Sequence, residues 1–365
     1  MDSFSGYIGT YTQGLIGRGK GIYAFNFSTK TGNVENIHLA SECVNPSYLA
    51  LSSSNKYLYA VNEISDFEGS GSGAVSSFSI DERTGVLKFI NQKISNGKDP
   101  CHIVLEKKLG KNLVVSNYTS GTLSVFPIME NGALGDAFQS IQLHGSGKDR
   151  LRQEVSHAHF FAFDKNTDGG FACDLGGNSV IFYSFNEKLS LKSVFISDAG
   201  AGPRHGVFHS NGKYIYILNE LNSTIDVLEY AYEKLERKQS ISTLPRDIFV
   251  SNTAAGIKIS PCENFLYASN RGHNSISIYR ILLNGSLEFI DVLSSYGETP
   301  RDFAFDPSGN FLLVCHQDSD NLVVFRIDKC SGLFERVNEY YIPSGVCIVF
   351  LRLNLFGGDP ECMIV

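Results

Sequence analysis

The chemistry-bearing residues of this chain gather where apolar runs begin or end. Arg204 and His205 follow Gly202-Pro203, Arg301 follows Thr299-Pro300, Cys101 and His102 follow Asp99-Pro100, and His157 and His159 sit in SHAH (156–159). Other runs finish in Asn62-Glu63, Asn117-Tyr118, Asp174-Leu175, Asn219-Glu220, Asn270-Arg271 and His316-Gln317. A guanidinium offers a rigid fork of donors suited to phosphate or carboxylate. An imidazole can take a proton near neutral pH. Carboxylates such as Glu63 and Glu220, set among cations, stay ionised and can orient a guanidinium or accept a proton. Together these groups suit a small anionic ligand, if one scaffold brings them together.

The scaffold is a repeat. A small or proline-led step, an alternating apolar strand, a Gly/Asn turn and a second strand return at Asn45-Pro46, Asp99-Pro100, Ser156-His157, Gly202-Pro203, Ala254-Ala255, Thr299-Pro300 and Pro343-Ser344. The spacing, about 43 to 57 residues, is that of a β-propeller blade. SYLALSSSNKYLYAVNE (47–63) and RDFAFDPSGNFLLVCHQ (301–317) each read as a tight antiparallel hairpin. A third strand follows, such as GAVSSFSI or NLVVFRI, and a turn such as DERTG (81–85) or DKCSG (328–332) leads to a weaker outer strand. Helical spacing is absent. Six units fill residues 45 to about 340. GYIGTYT (6–12), GIYAFNF (21–27) and VENIHLA (34–40) resemble second, third and fourth strands, and GVCIVFL (345–351) a first strand. The expectation is an all-β, seven-bladed β-propeller over residues 1–351, its seventh blade closed by N- and C-terminal strands, with 352–365 an unstructured extension.

In such a ring the start of each first strand meets the end of each second strand at one channel mouth. The first-strand ring is read as Ser47, Cys101, His157, Arg204, Gly256, Arg301 and Ser344, with His102, His159 and His205 close behind. Arg204, Arg271 and Arg301 thus gather at one rim. A plainer account assigns Asn62, Asn117, Asp174 and Asn219 to satisfying turn backbones. It makes His205 and His209 packing or turn residues, and Arg204, Glu220 and Arg271 an inter-blade ion pair.

Composition narrows the class. A net charge of −7 argues against a general nucleic-acid or membrane-surface role. No 18-residue apolar run or signal-peptide pattern is visible. The eight cysteines are scattered, without CxxC pairs, which disfavours structural zinc and a disulfide scaffold. A soluble cytoplasmic protein, monomeric or weakly self-associating and without a metal or cofactor, is expected. The terminal Cys362-Met363-Ile364-Val365 outlines a prenylation box but ends in an unusual residue, with no polybasic segment before it.

The segments NPSYLALS, DPCHIVLE, SNYTSGTLSVFPI, RQEVSHAHF, AGPRHGVFHSNGKYIYILNELNST, ASNRGHNSI and TPRDFAFDPSGNFLL resemble the seven-bladed lactonase family. That family includes the propeller type of 6-phosphogluconolactonase and the fungal carboxy-cis,cis-muconate cyclase. The resemblance runs from Tyr7 to about Leu351. It implies His157, Arg204, Glu220 and Arg271 as catalytic residues. The rim reading adds His102, Asn117, His159, Arg301 and Gln317 as substrate-binding candidates. The chain departs from the family pattern at AAGIKIS, where Gly256 and Lys258 replace the usual acidic residue and histidine. It departs also at Ser156, usually proline, and at Pro261-Cys262-Glu263, usually Pro-Asp-Gly.

The favoured expectation is hydrolysis of a sugar-acid δ-lactone, with arginines holding a phosphate and polarising the ester carbonyl. His157 would activate water, and Glu220 would orient the imidazole or an arginine. GxSxG is absent, so no covalent nucleophile is implied. Three alternatives stay open at this stage. One is cyclisation of a muconate tricarboxylate in the same pocket. A second is a calcium-dependent lactonase using Glu63, Asn117 and Asp174, which a cationic rim disfavours. The third is a non-catalytic binding platform; the absence of Trp removes the standard WD-repeat signature.

Overall fold

Twenty-eight strands make seven antiparallel four-stranded sheets in the computed structural model, which describes residues 3–351 except 82–83, 107, 166 and 232–233. The expected extension over 352–365, with its cysteine-containing end, falls outside the described residues. The first blade runs through Leu49–Leu51, Tyr57–Asn62, Ala74–Ile80 and Leu87–Ile94, and five more follow in chain order. In the closing sheet Gly345–Phe350 is innermost, followed by Ser3–Thr10, Gly21–Ser28 and Val34–Glu42. The ring closes as the sequence predicts. Its inner strands leave no open edge between the chain ends.

The blades cohere through apolar seams. Ile8, Phe27, Phe311, Leu313 and Ile348 form one of these between the closing and sixth blades, where Phe27 meets Phe311 edge-to-face at 5.5 Å. Tyrosines from second strands add directional ties: the hydroxyls of Tyr7, Tyr216 and Tyr267 donate to the carbonyls of Gly85, Gly285 and Gly332 in turns of neighbouring blades. All three glycines have φ between 71° and 79°, the left-handed region that glycine enters without strain. This explains why DERTG and DKCSG end as they do.

One local irregularity aims the side chains at the start of the first strands. In the second, third, fourth and sixth blades the first strand shifts register against the second at Pro100/His102, Ala158/Phe160, Pro203/His205 and Pro300/Asp302. The unpaired residues are Cys101, His159, Arg204 and Arg301. A β-bulge places one extra residue against its partner strand and re-aims that side chain. The register corrects part of the expected ring. In the third blade His159, not His157, holds the position equivalent to Arg204, because the strand begins at Ala158. In the fifth blade the strand begins at Thr253 and Ala254 pairs with Asn270, so the equivalent residue is Ala255 rather than Gly256. In the closing blade it is Val346 rather than Ser344, between Gly345 and Cys347.

Phe27→Ala should test the closing seam, since Phe27 is fully buried. Truncating a buried Phe costs about 3–5 kcal/mol. A denaturant midpoint lowered accordingly, with native strand content retained in dilute buffer, is the expected result; an unchanged midpoint would contradict this packing.

Candidate functional site

At the mouth of the ring one carboxylate is shared by three arginines. Glu220 ends the hairpin of the fourth blade, its amide donating to the Gly202 carbonyl and its carbonyl accepting from Ala254 of the fifth blade. Its Oε2 lies 2.9 Å from Arg204 Nε and 2.9 Å from Arg271 Nη2, and its Oε1 lies 2.6 Å from Arg152 Nη2. Burial alone would raise the Glu220 pKa, but Arg271 and Arg204, with smaller help from His159 and Arg152, hold it well below the usual carboxylate range. Glu220 is therefore an ionised strut. Burial, with repulsion from Arg271, brings Arg204 down to about 10, which still leaves it a cation at neutral pH.

Local chain geometry serves this cluster. Arg204 Nη1 donates to the Ala255 carbonyl, and Arg271 Nη2 to the Ala254 carbonyl at 3.3 Å, so both guanidiniums are braced against the fifth blade. Gly272, directly after Arg271, has φ +110°, and a Cβ there would collide with the Ser251 carbonyl. Only glycine fits the NRG turn that projects Arg271.

A second group shares a small cavity with Arg204. Arg301 donates to Gln317 Oε1 at 3.2 Å and to the Tyr11 hydroxyl at 2.7 Å. Tyr11 donates in turn to Glu63, 2.9 Å from either carboxylate oxygen, and Ser47 also donates to Glu63. Deeper lies a cluster of histidines. His102 packs 4.3 Å from both Tyr48 and Phe160, and His205 lies 5.3 Å from His159 and 5.9 Å from His102. Burial, reinforced by Arg204, drops His102 to about 3 and holds His159 and His205 well below the ordinary imidazole range. These three are neutral at physiological pH.

His157 lies just outside the strand. Its ring stacks on Tyr118, with centroids 4.5 Å apart and planes within 7°. Nδ1 is 3.1 Å from the Tyr118 carbonyl, which can only accept, so Nδ1 donates there. Glu154 Oε1 stands 3.3 Å from Nε2. The His157 backbone amide donates to Asp174 Oδ1 at 2.8 Å.

The structure thus joins Arg204, Glu220 and Arg271 directly, and brings Arg301 and Gln317 together at the adjoining cavity. His157 is linked to them through Tyr118, whose hydroxyl accepts from Arg152 at 3.2 Å. His102 and His159 pack against His205, which lines that cavity. Asn117 is not brought into the group: its amide donates to the Ser95 carbonyl, Thr122 and Ser124. Asn219 and Asn270 do the same with Thr224 and Asp226, and with Ser275 and Ser277. This is the plainer role anticipated for strand-end amides. Gly256 donates its amide to Ser269 at 2.8 Å, and the Phe303 ring lies 3.1 Å from where a Cβ would stand. Lys258 pairs with Asp302 at 3.2 Å.

Sequence reasoning missed Arg152 and Tyr11. Arg152 lies on an inter-blade connection, and Tyr11 at the end of an incomplete N-terminal unit, so neither falls on a repeat-derived ring. The signal for Tyr11 was its place after GYIGT, equivalent to the strand-end pairs of other blades. Among the described residues no group of three or more His, Cys, Asp or Glu could hold a metal ion.

With the geometry established, comparison with known proteins is informative. Residues 5–350 match the family described as Lactonase, 7-bladed beta-propeller. The 6-phosphogluconolactonase of Bacillus subtilis is 33% identical over 357 residues, covering 96% of this chain and 99% of the relative. The 6-phosphogluconolactonase of Formosa agariphila is 36% identical over 348 residues, covering 93% and 97%. Among solved structures, a periplasmic gluconolactonase of Pseudomonas aeruginosa superposes with a TM-score of 0.89 at 28% identity, covering 96% and 99%.

The buried histidines give the fold a pH dependence. Burial also lowers His316 to about 4. A histidine whose folded pKa is depressed leaves the unfolded chain binding the proton first, so its stability contribution is present above about 6.5 and is lost as pH falls towards the folded value. Tm should therefore fall between pH 6.5 and 4, and His102→Gln should shallow that fall. An identical slope in the variant would contradict the assignment.

Proposed function

This chain belongs to the seven-bladed β-propeller lactonase family, and from that premise we propose that it hydrolyses a phosphorylated sugar-acid δ-lactone. The reading is 6-phospho-D-glucono-1,5-lactone to 6-phosphogluconate, the lactone step of the pentose phosphate pathway, carried out in the cytoplasm, where scattered thiols stay reduced. The observation that carries it is the mouth cluster itself. Three guanidiniums against one carboxylate leave two positive charges, held at low dielectric where they act strongly on an anion.

The chemistry follows from the groups present. Arg204 and Arg271, fixed by Glu220 and by backbone carbonyls, bind the lactone's carbonyl oxygen and stabilise the negative charge that develops there. His157 removes a proton from water at Nε2, and Glu154 steadies the imidazolium so formed. The water oxygen bonds to the carbonyl carbon, and the C=O electron pair moves onto the oxyanion. When the tetrahedral adduct collapses, the bond from that carbon to the ring oxygen breaks, and the ring oxygen leaves as a hydroxyl with the proton from His157. Arg301, oriented by Gln317 and Tyr11, binds the substrate from the far side of the mouth. Glu220, its basicity suppressed by three cations, serves as their anchor.

The direct test generates the lactone by enzymatic oxidation of glucose 6-phosphate and follows its opening with spontaneous hydrolysis subtracted. Hydrolysis above background is expected. Arg204→Ala should lower kcat/KM at least about ten-fold, equivalent to about 1.4 kcal/mol of transition-state stabilisation, while the circular dichroism spectrum stays native. No acceleration above background, or an unchanged rate in the variant, would overturn the reading.

A further inference from the structure

Unlike Arg204, Arg271 and Arg301, Arg152 is not carried by a blade. It sits on the connection over residues 143–157, between Gln139–Gln142 and Ala158–Phe163. Gln153, fully buried, pins that connection. Its Nε2 donates to the Leu175 carbonyl at 2.8 Å and to Asn178 Oδ1 at 3.0 Å, and its Oε1 accepts from the Asp149 amide at 3.2 Å. Asp149 Oδ1 accepts from the amides of Leu151 and Arg152 at 2.9 and 3.2 Å. The backbone beside Arg152 is therefore fixed, while its side chain leans inward.

That side chain differs from its neighbours. It is 40% exposed, against 4% for Arg204 and 14% for Arg271. Its hydrogen bonds to Glu220 and to Tyr118 both use Nη2, so among the described residues Nε and Nη1 remain for an incoming acceptor. Arg204 and Arg271 already outweigh the single charge of Glu220, and the third guanidinium adds to that surplus. Lys148 and Arg150 on the same connection are exposed and are balanced by Asp149 and Glu154, so the surplus there is that of Arg152 itself. A phosphate monoester carries about −1.5 to −2 charges at neutral pH and three acceptor oxygens, which fits both the surplus charge and the free donors.

We propose that Arg152 reads the substrate's phosphate, donating through Nε and Nη1 to phosphate oxygens, and so sets a preference for phosphorylated over neutral sugar lactones. The assignment rests on the lactonase reading for its substrate, but its anion chemistry can be tested without turnover.

Two measurements test it. First, kcat/KM is measured for 6-phosphogluconolactone and for glucono-1,5-lactone, and their ratio is the readout. Arg152→Ala should lower that ratio about ten-fold or more, mainly through KM for the phosphorylated substrate, and Arg152→Lys should recover part of it. A ratio unchanged in Arg152→Ala overturns the proposal, because a purely structural role through Glu220 would depress both substrates alike. Second, calorimetry gives Kd for 6-phosphogluconate and gluconate. The wild type should favour the phosphorylated acid, and Arg152→Ala should weaken its binding about ten-fold, equivalent to about 1.4 kcal/mol. If the wild type hydrolyses neither lactone yet shows this binding difference, the lactonase reading fails and the Arg152 assignment stands. If the wild type binds both acids equally, the Arg152 assignment fails whatever the rates.

Discussion

A carboxylate removed from water must be met by opposite charge, and at Glu220 that requirement organises the mouth of the ring. Desolvation of an ion costs several kcal/mol, and removing one partner of a buried pair is strongly destabilising. Here the carboxylate joins Arg204 of its own blade, Arg271 of the next and Arg152 from the connection ahead of the third. The anticipated inter-blade ion pair and the residues anticipated for the site are therefore the same side chains. Glu220 keeps three like charges close together, and their surplus is what an anionic ligand would meet.

The backbone supplies the aim. Repeated bulges turn Cys101, His159, Arg204 and Arg301 at equivalent points of their blades. The residue after each bulge, such as His102, His205 or Asp302, forms the layer beneath. Burial keeps the histidines of that layer neutral, so they do not compete with the arginines for an anion. The bulge layer thus carries Arg204 and Arg301 beside neutral Cys101 and His159, and the layer beneath holds His102 and His205 with the Asp302–Lys258 pair.

This division explains what the sequence could disclose. Blade number and ring closure were legible because period-two apolar strands and Gly/Asn turns recur at a near-constant spacing, and GVCIVFL and GYIGTYT read as complementary pieces of one blade. Arg204, Glu220 and Arg271 were legible because strand ends converge at a known rim. His157 and Gly256 were placed in the first-strand ring because a bulge has no signature in residue type; only the hydrogen-bond register shows that His159 and Ala255 occupy that position. Asn117 looked like a ligand-facing amide, yet its donors are taken by Ser95, Thr122 and Ser124. Arg152 escaped because the path of an inter-blade connection is not encoded in the repeat.

The most direct examination of the account is a crystal structure of the protein with 6-phosphogluconate bound. It should show an anionic group of the ligand within hydrogen-bonding distance of Arg204 and Arg271, with Glu220 still joined to both guanidiniums. An ordered ligand elsewhere on the ring, with the arginines at the mouth untouched, would contradict it.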